Sequence, residues 1–145
     1  MPTRPALKWR IAAAAAGLAA ALLAGCNTTA SAPDDGPERP TTLRFRLEPE
    51  NSLAGAQVSP GVEITVFDNF GDTSFSSTAV IRLSIALGTG SPAAKLHGDT
   101  VVAAVNGTAD FYNLVIDSAG TGYQLLASSQ GLGSALSVPF DVARP

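Results

Sequence analysis

One cysteine, one histidine and one tryptophan occur in 145 residues, with aromatic residues at 6% and charged residues at 14%. Each shortage removes a class of chemistry. With Cys26 as the only cysteine, no intrachain disulfide can form. With His97 as the only histidine, zinc lacks a ligand cluster. A nucleophilic triad needs a base in a recognisable setting, and His97, followed by Gly98 and Asp99, reads as an exposed turn residue. Gly88-Thr89-Gly90 and Gly120-Thr121-Gly122 precede no helical pattern and no P-loop lysine, so they read as turn glycines rather than phosphate cradles. Positive charge is scarce as well. Beyond residue 26 there are six basic residues (Arg39, Arg44, Arg46, Arg82, Lys95, Arg144) against twelve acidic ones, a net charge of −6 that opposes a nucleic-acid partner.

What is present at the start has the order that export requires: Arg4, Lys8 and Arg10, an apolar run from Ile11 to Ala24, then Gly25 and Cys26. The run is Ala-rich and shorter than the roughly 20 apolar residues a spanning helix needs, which favours a cleaved signal over a retained anchor. Leu23-Ala24-Gly25-Cys26 resembles the lipobox of bacterial lipoproteins, in which small residues precede a cysteine that is lipidated and becomes the new N-terminus. The other reading is an ordinary signal peptide with Cys26 left as a free thiol. The resemblance implies a signal peptide over 1–25 and an anchor through lipidated Cys26, whose several acyl chains would hold where a single chain binds only marginally. Asn27 follows, where an aspartate resembles an inner-membrane retention signal, so a cell-envelope location on the outer membrane is favoured if the host is Gram-negative.

Residues 26–40 continue as CNTTASAPDDGPERP, with prolines, small polar residues and almost nothing to bury. A disordered tether is expected there. Partly extended at about 3.1 Å per residue, it would reach on the order of 40 Å.

Residues 41–145 have the size of one domain with its own core. Seven strands are predicted: Thr42 to Glu48, Val62 to Asp68, Ala79 to Leu87, Thr100 to Val105, Thr108 to Ile116, Tyr123 to Ser128, and Leu136 to Val142. Alternation places Val62, Ile64 and Val66 on one face, and likewise Ile81, Leu83, Ile85 and Leu87, and Leu136, Val138, Phe140 and Val142. No segment has a helical period, so two sheets packed face to face are expected. Asn106-Gly107 predicts a two-residue hairpin turn with positive φ at both positions. Phe111, Leu114 and Ile116 cannot share a face of a regular strand, which predicts a bulge near Tyr112-Asn113. Pro139 predicts that the last strand lies at an edge or turns that nitrogen outward.

Val66 to Asp72, Asn106 to Phe111 and Gly120 to Leu125 carry the patterns V-x-D-x-F-G-D, N-G-x-A-x-F and G-x-G-Y-x-L in order. This stretch resembles a single bacterial Ig-like domain of the invasin and intimin type, over roughly Leu43 to Val142. The resemblance implies an all-β, Ig-like sandwich of about seven antiparallel strands, with Tyr123 as a tyrosine corner. It lacks the paired cysteines and core tryptophan of antibody domains, since Trp9 falls in the signal, and it has one copy where tandem arrays are common.

The acidic residues Glu63, Asp68, Asp72, Asp99, Asp110 and Asp117 stand mostly at expected strand ends, where aspartate bonds to nearby backbone. Glycoside hydrolysis would need two of them at a defined separation. Calcium at Asp68, Asn69 and Asp72 is a minor alternative, with hard oxygens close together but without the length or glycine placement of an EF-hand loop. No cofactor is expected. The function expected is therefore a non-enzymatic, membrane-anchored structural or adhesive module that binds an envelope or surface protein. The alternative is a carbohydrate- or small-ligand-binding accessory lipoprotein, which would need exposed aromatic residues gathered on one sheet face.

Overall fold

Runs of β-branched and aromatic residues broken by glycine, asparagine and aspartate leave a chain little choice but extended segments and tight turns. The computed structural model describes residues 37–145, and all regular structure among them is strand. In chain order the strands are β1 (Pro40–Leu47), β2 (Ser52–Leu53), β3 (Val62–Asp68), β4 (Val80–Ile85), β5 (Leu96–His97) and β6 (Val101–Ala103). They continue with β7 (Thr108–Phe111), β8 (Val115–Ile116), β9 (Gly120–Tyr123), β10 (Leu125–Ser128), β11 (Ala135–Leu136) and β12 (Phe140–Ala143).

Two sheets form the layers: β1-β3-β7 and β11-β10-β4-β6, all antiparallel. Leu43, Ile64, Val66, Ala109 and Phe111 of the first meet Ile81, Leu83, Leu125 and Ala127 of the second in one core. Burying each large side chain contributes about 1.5–3 kcal/mol, and no helix is needed to close the core. The fold is an Ig-like β-sandwich. The parallel register of β2 on β12 departs from the all-antiparallel expectation.

Three of the expected long strands are divided in two, and each division is where the chain changes partner. Tyr123, Leu125 and Ala127 keep one alternating buried row, yet β9 pairs with β12 while β10 pairs with β4 and β11. Between β7 and β8 the pairing lapses at Tyr112 to Leu114, so Phe111, Leu114 and Ile116 are all buried by a broken ladder where a bulge was expected. Between β11 and β12 the phase slips: Ser137, Phe140 and Val142 are buried while Leu136 is 56% and Val138 51% exposed. The four-residue apolar face expected from Leu136 to Val142 is thus corrected. Pro139 stands in the gap between the two strands, where Glu48 accepts the Val138 N–H at 3.1 Å and no ladder bond is required. The Leu87 expectation is corrected too: β4 ends at Ile85, Ala86 takes the buried place, and Leu87 is fully exposed in the turn.

Asn106 and Gly107 take φ of 50° and 76°, and Val105 and Thr108 exchange both backbone hydrogen bonds around them, as the primed hairpin turn requires. This turn carries the chain from β6 in one layer to β7 in the other. A Cβ at Gly107 would lie 2.4 Å from the Ser74 carbonyl oxygen, so glycine is also demanded by packing.

Tyr123 is wholly buried and its hydroxyl donates to the Ser118 carbonyl at 2.8 Å, the tyrosine corner that the resemblance implied. The ring packs on Phe140 with centroids 6.0 Å apart and lies against Gly90, where a Cβ would come within 2.1 Å of it. Tyr123→Phe, by orphaning that carbonyl, should lower unfolding free energy by about 1–2 kcal/mol in chemical denaturation. Gly90→Ala should cost at least as much, because it adds a clash to a positive φ.

Candidate functional site

The lipobox residues Leu23, Ala24 and Gly25 and the lipidation site Cys26 lie outside the described residues. So does most of the expected tether. Its last residues do not behave as a tether. Arg39 and Asn69 exchange hydrogen bonds, N–H to Oδ1 at 2.8 Å and Asn69 N–H to the Arg39 carbonyl at 3.0 Å, and the Ser74 hydroxyl donates to Glu38 at 2.8 Å. Pro40 already belongs to β1. The domain therefore begins before Thr41, a correction the polar composition of Glu38-Arg39 concealed.

The loop these bonds hold contains the residues considered for calcium. Asp68 is 7% exposed, and its Oδ1 accepts the N–H groups of Phe70 at 2.8 Å and Asp72 at 3.0 Å. Asp68 N–H in turn donates to the Asp72 carbonyl at 2.9 Å. This is the work of a turn former, with the carboxylate turned onto its own loop. The Asn69 Oδ1 is engaged by Arg39 and Asp72 is exposed, so the three do not present a shared set of oxygens. Among the described residues no three His, Cys, Asp or Glu gather as a metal-holding group.

His97 is not in a turn, as its glycine neighbour suggested, but in β5, opposite Val115 of β8. That pairing brings its Nε2 to 3.2 Å from Asp117 Oδ2. Asp117 also accepts the Lys95 N–H at 2.9 Å and the Ser118 hydroxyl at 2.8 Å. The Lys95 backbone N–H first, then Ser118 and His97, hold its carboxyl down to about 2. Neither the strand β5 nor this pair was legible beforehand, since two residues give no alternation to read. The geometry is not that of a triad. Ser118 bonds to the carboxylate, and the aspartate takes the imidazole nitrogen that a serine would need if the carboxylate oriented the other one.

Of the other acids, Asp99 is bonded to Asn113, whose Nδ2 donates to it at 2.7 Å. Glu63 and Asp110 are directly opposed across β3 and β7, on the open outer face of the sheet, and Arg46 stands 3.4 Å from Glu63. The Asp110 charge raises the Tyr112 phenol above its usual range. A groove of about 340 Å³ on this face is lined by Arg44, Phe45, Arg46, Thr65, Phe67 and Thr73, with the Arg44 guanidinium 4.7 Å over the Phe67 ring. The aromatic side chains most exposed among the described residues, Phe70, Phe75 and Tyr112, all sit outside the strands, so they form no stacking platform on a sheet face.

No protein-family model matches the sequence, and neither does any curated protein. Among solved structures the chain is similar to the Parabacteroides merdae beta-glucuronidase, at TM-score 0.48 and 24% identity, over 68% of this chain and 12% of that one. A structure of the same enzyme with glycerol in its active site gives TM-score 0.49 and 21% identity, over 74% of this chain and 12% of that one. The chain thus spans about an eighth of that enzyme's length.

Because the Asp117 pKa in the fold lies below its ordinary value of 3.8, its contribution to stability is full above that value and drains away as pH falls toward about 2. Carbon-detected titration should place the Asp117 midpoint near 2, and Asp117→Asn should flatten the acid limb of the stability curve between those values. Asp68→Ala should cost about 1–2 kcal/mol through two lost loop bonds. Chelator should leave the melting temperature of the native chain unchanged, since an ion bound to the native state would raise it.

Proposed function

We propose that this chain is a lipid-anchored, non-enzymatic Ig-like module that binds a protein at the cell envelope. The observation that carries this reading is the sole cysteine, Cys26, at the end of Leu23-Ala24-Gly25, directly after the apolar run. A thiol placed there gains a purpose from acylation and has no partner within the chain for a disulfide. Several acyl chains on that cysteine would anchor the chain firmly, and the polar stretch after it would carry the sandwich clear of the headgroups.

Two features favour a binding role over catalysis. Six of the domain's polar side chains are spent on the domain itself: Asp68, Asn69, Asp99, Asp117, Asn51 and Glu48 hold loop or strand backbone or a neighbouring side chain. Two grooves are open shelves on sheet faces, one lined by Val80, Arg82, Val101 and Ser128 and the other by Arg44, Phe45, Thr65 and Phe67, and neither lining includes a carboxylate. A rigid sandwich of this kind recognises partners through loops or by accepting a strand at a free edge.

Intact-mass analysis of the protein purified from membranes should show a chain starting at Cys26 and carrying diacylglycerol and acyl mass. An unmodified thiol, or a chain that still begins at Met1, would overturn the anchor. Pull-down of the tagged chain from detergent-solubilised envelope should recover a stoichiometric protein partner. Retention on a polysaccharide resin with no protein recovered would favour the carbohydrate-binding alternative.

A further inference from the structure

Two phenylalanines of the loop after β3 are left outside the core. Phe75 is 71% and Phe70 47% exposed, and neither belongs to the hydrophobic cluster nor packs against it. The other four phenylalanines are buried or half-buried in β1, β3, β7 and β12.

Both rings are placed by the bonds that hold the start of the domain. Phe70 follows Asn69, which exchanges hydrogen bonds with Arg39, and its own N–H is fixed by Asp68. Phe75 lies between Ser74 and Ser76, whose hydroxyls both donate to Glu38, at 2.8 and 3.4 Å. The hairpin between β6 and β7 adjoins the same loop, since the Gly107 N–H donates to the Ser77 carbonyl at 3.3 Å, and Val105 beside it is 71% exposed. Phe70, Phe75 and Val105 are thus carried by two loops at the end of the sandwich where residues 38–39 enter it.

This is the end that a lipid anchor would keep nearest the bilayer. Residues 27–36 alone lie between Cys26 and Pro37, the first described residue. A flexible run of that length averages about 20 Å end to end, and its full extension is roughly 35 Å. β4 starts beside the hairpin, where Val80 opposes Ala103, and runs away to the opposite end, where Leu87 is fully exposed. That turn is about 20 Å farther from the tether. A short leash keeps the near end at high effective concentration over the lipid, so a weak attraction suffices to seat it. The loop braced by Asp68 also holds its rings in place beforehand, which spares an ordering cost. Charge does not supply the attraction, because Glu38, Asp68 and Asp72 outnumber Arg39 here. Apolar rings entering the boundary between headgroups and acyl chains do.

We propose that this loop end docks on the zwitterionic lipid surface to which the chain is anchored, with Phe70 and Phe75 inserted at the headgroup boundary. The sandwich then stands end-on, and the Leu87 turn faces away from the bilayer. Full extension of the tether gives the undocked state, clear of the headgroups. The inference rests on the lipid-anchored reading above, which supplies the surface.

The test uses the full chain, purified from membranes and reconstituted in phosphatidylcholine vesicles. The chain from Cys26 onward has no tryptophan, so a substitution introduces a single reporter. F75W should emit to the blue of L87W and be quenched several-fold by bromine on the upper acyl carbons, whereas L87W should not be quenched. V105W should be quenched in the otherwise native chain. Adding F70S and F75S to V105W should lower its docking about tenfold per ring lost, and unchanged melting temperatures show that the variants keep the fold. No quenching of F75W, equal quenching of F75W and L87W, or indifference of V105W to the two serines would overturn the proposal. So would a blue-shifted F75W without quenching, which puts a protein rather than lipid over the ring. The intact mass of the same sample separates the two readings. An acylated chain without quenching of F75W keeps the anchor and removes the docking. Quenching of F75W in a chain with an unmodified thiol removes the anchor and keeps a lipid-seeking end.

Discussion

The Tyr123 hydroxyl, bonded to the Ser118 carbonyl, fixes the place where a continuous run of chain exchanges one set of neighbours for another. Before that residue the run pairs with β12, and after it with β4 and β11. Such an exchange exposes backbone groups that a regular ladder would satisfy, and the cost of leaving them unpaired inside a protein is high. The structure meets it locally. The Gln124 backbone N–H donates to the Thr89 hydroxyl, its carbonyl accepts from the Ala86 N–H, and the Ser137 hydroxyl takes the Leu125 N–H. The tyrosine ring fills the volume beneath, and the glycine at position 90 exists to let it do so.

The sequence disclosed what period and turn chemistry can disclose. β3 runs from Val62 to Asp68 as expected because three β-branched residues alternate with polar ones between a proline-glycine pair and a loop aspartate. Asn106-Gly107 announced its hairpin because few other residues tolerate two successive positive φ angles. Period could not reveal a change of partner. From Leu136 to Val142 the pattern reads as one strand, but Ser137 turns inward to bond Leu125, and the row of buried residues restarts at Phe140. Strands of two residues such as β2 and β5 have no period at all: β2 exists because the longer β12 offers it an edge, and β5 because the equally short β8 faces it.

The polar residues follow a similar division. Aspartates in turns were legible as turn formers, and Asp68 holds two N–H groups of its own loop. The meeting of His97 with Asp117 was not, since it depends on the pairing of β5 with β8, twenty residues apart in sequence. Glu38 and Arg39 were hidden by their setting, a proline-rich run whose composition argues for disorder although its last members grip the loop after β3.

That grip governs how the domain takes a mechanical load. Force travelling along the chain toward Glu38 meets the bonds to Asn69 and Ser74 first, and these lie across a loop that is itself cross-braced by Asp68. Behind them, β1 is fastened to β3 on one side and to Gly133 on the other. Tension would therefore have to shear the collar at residues 38–39 before it could begin to peel away the first strand of the sandwich.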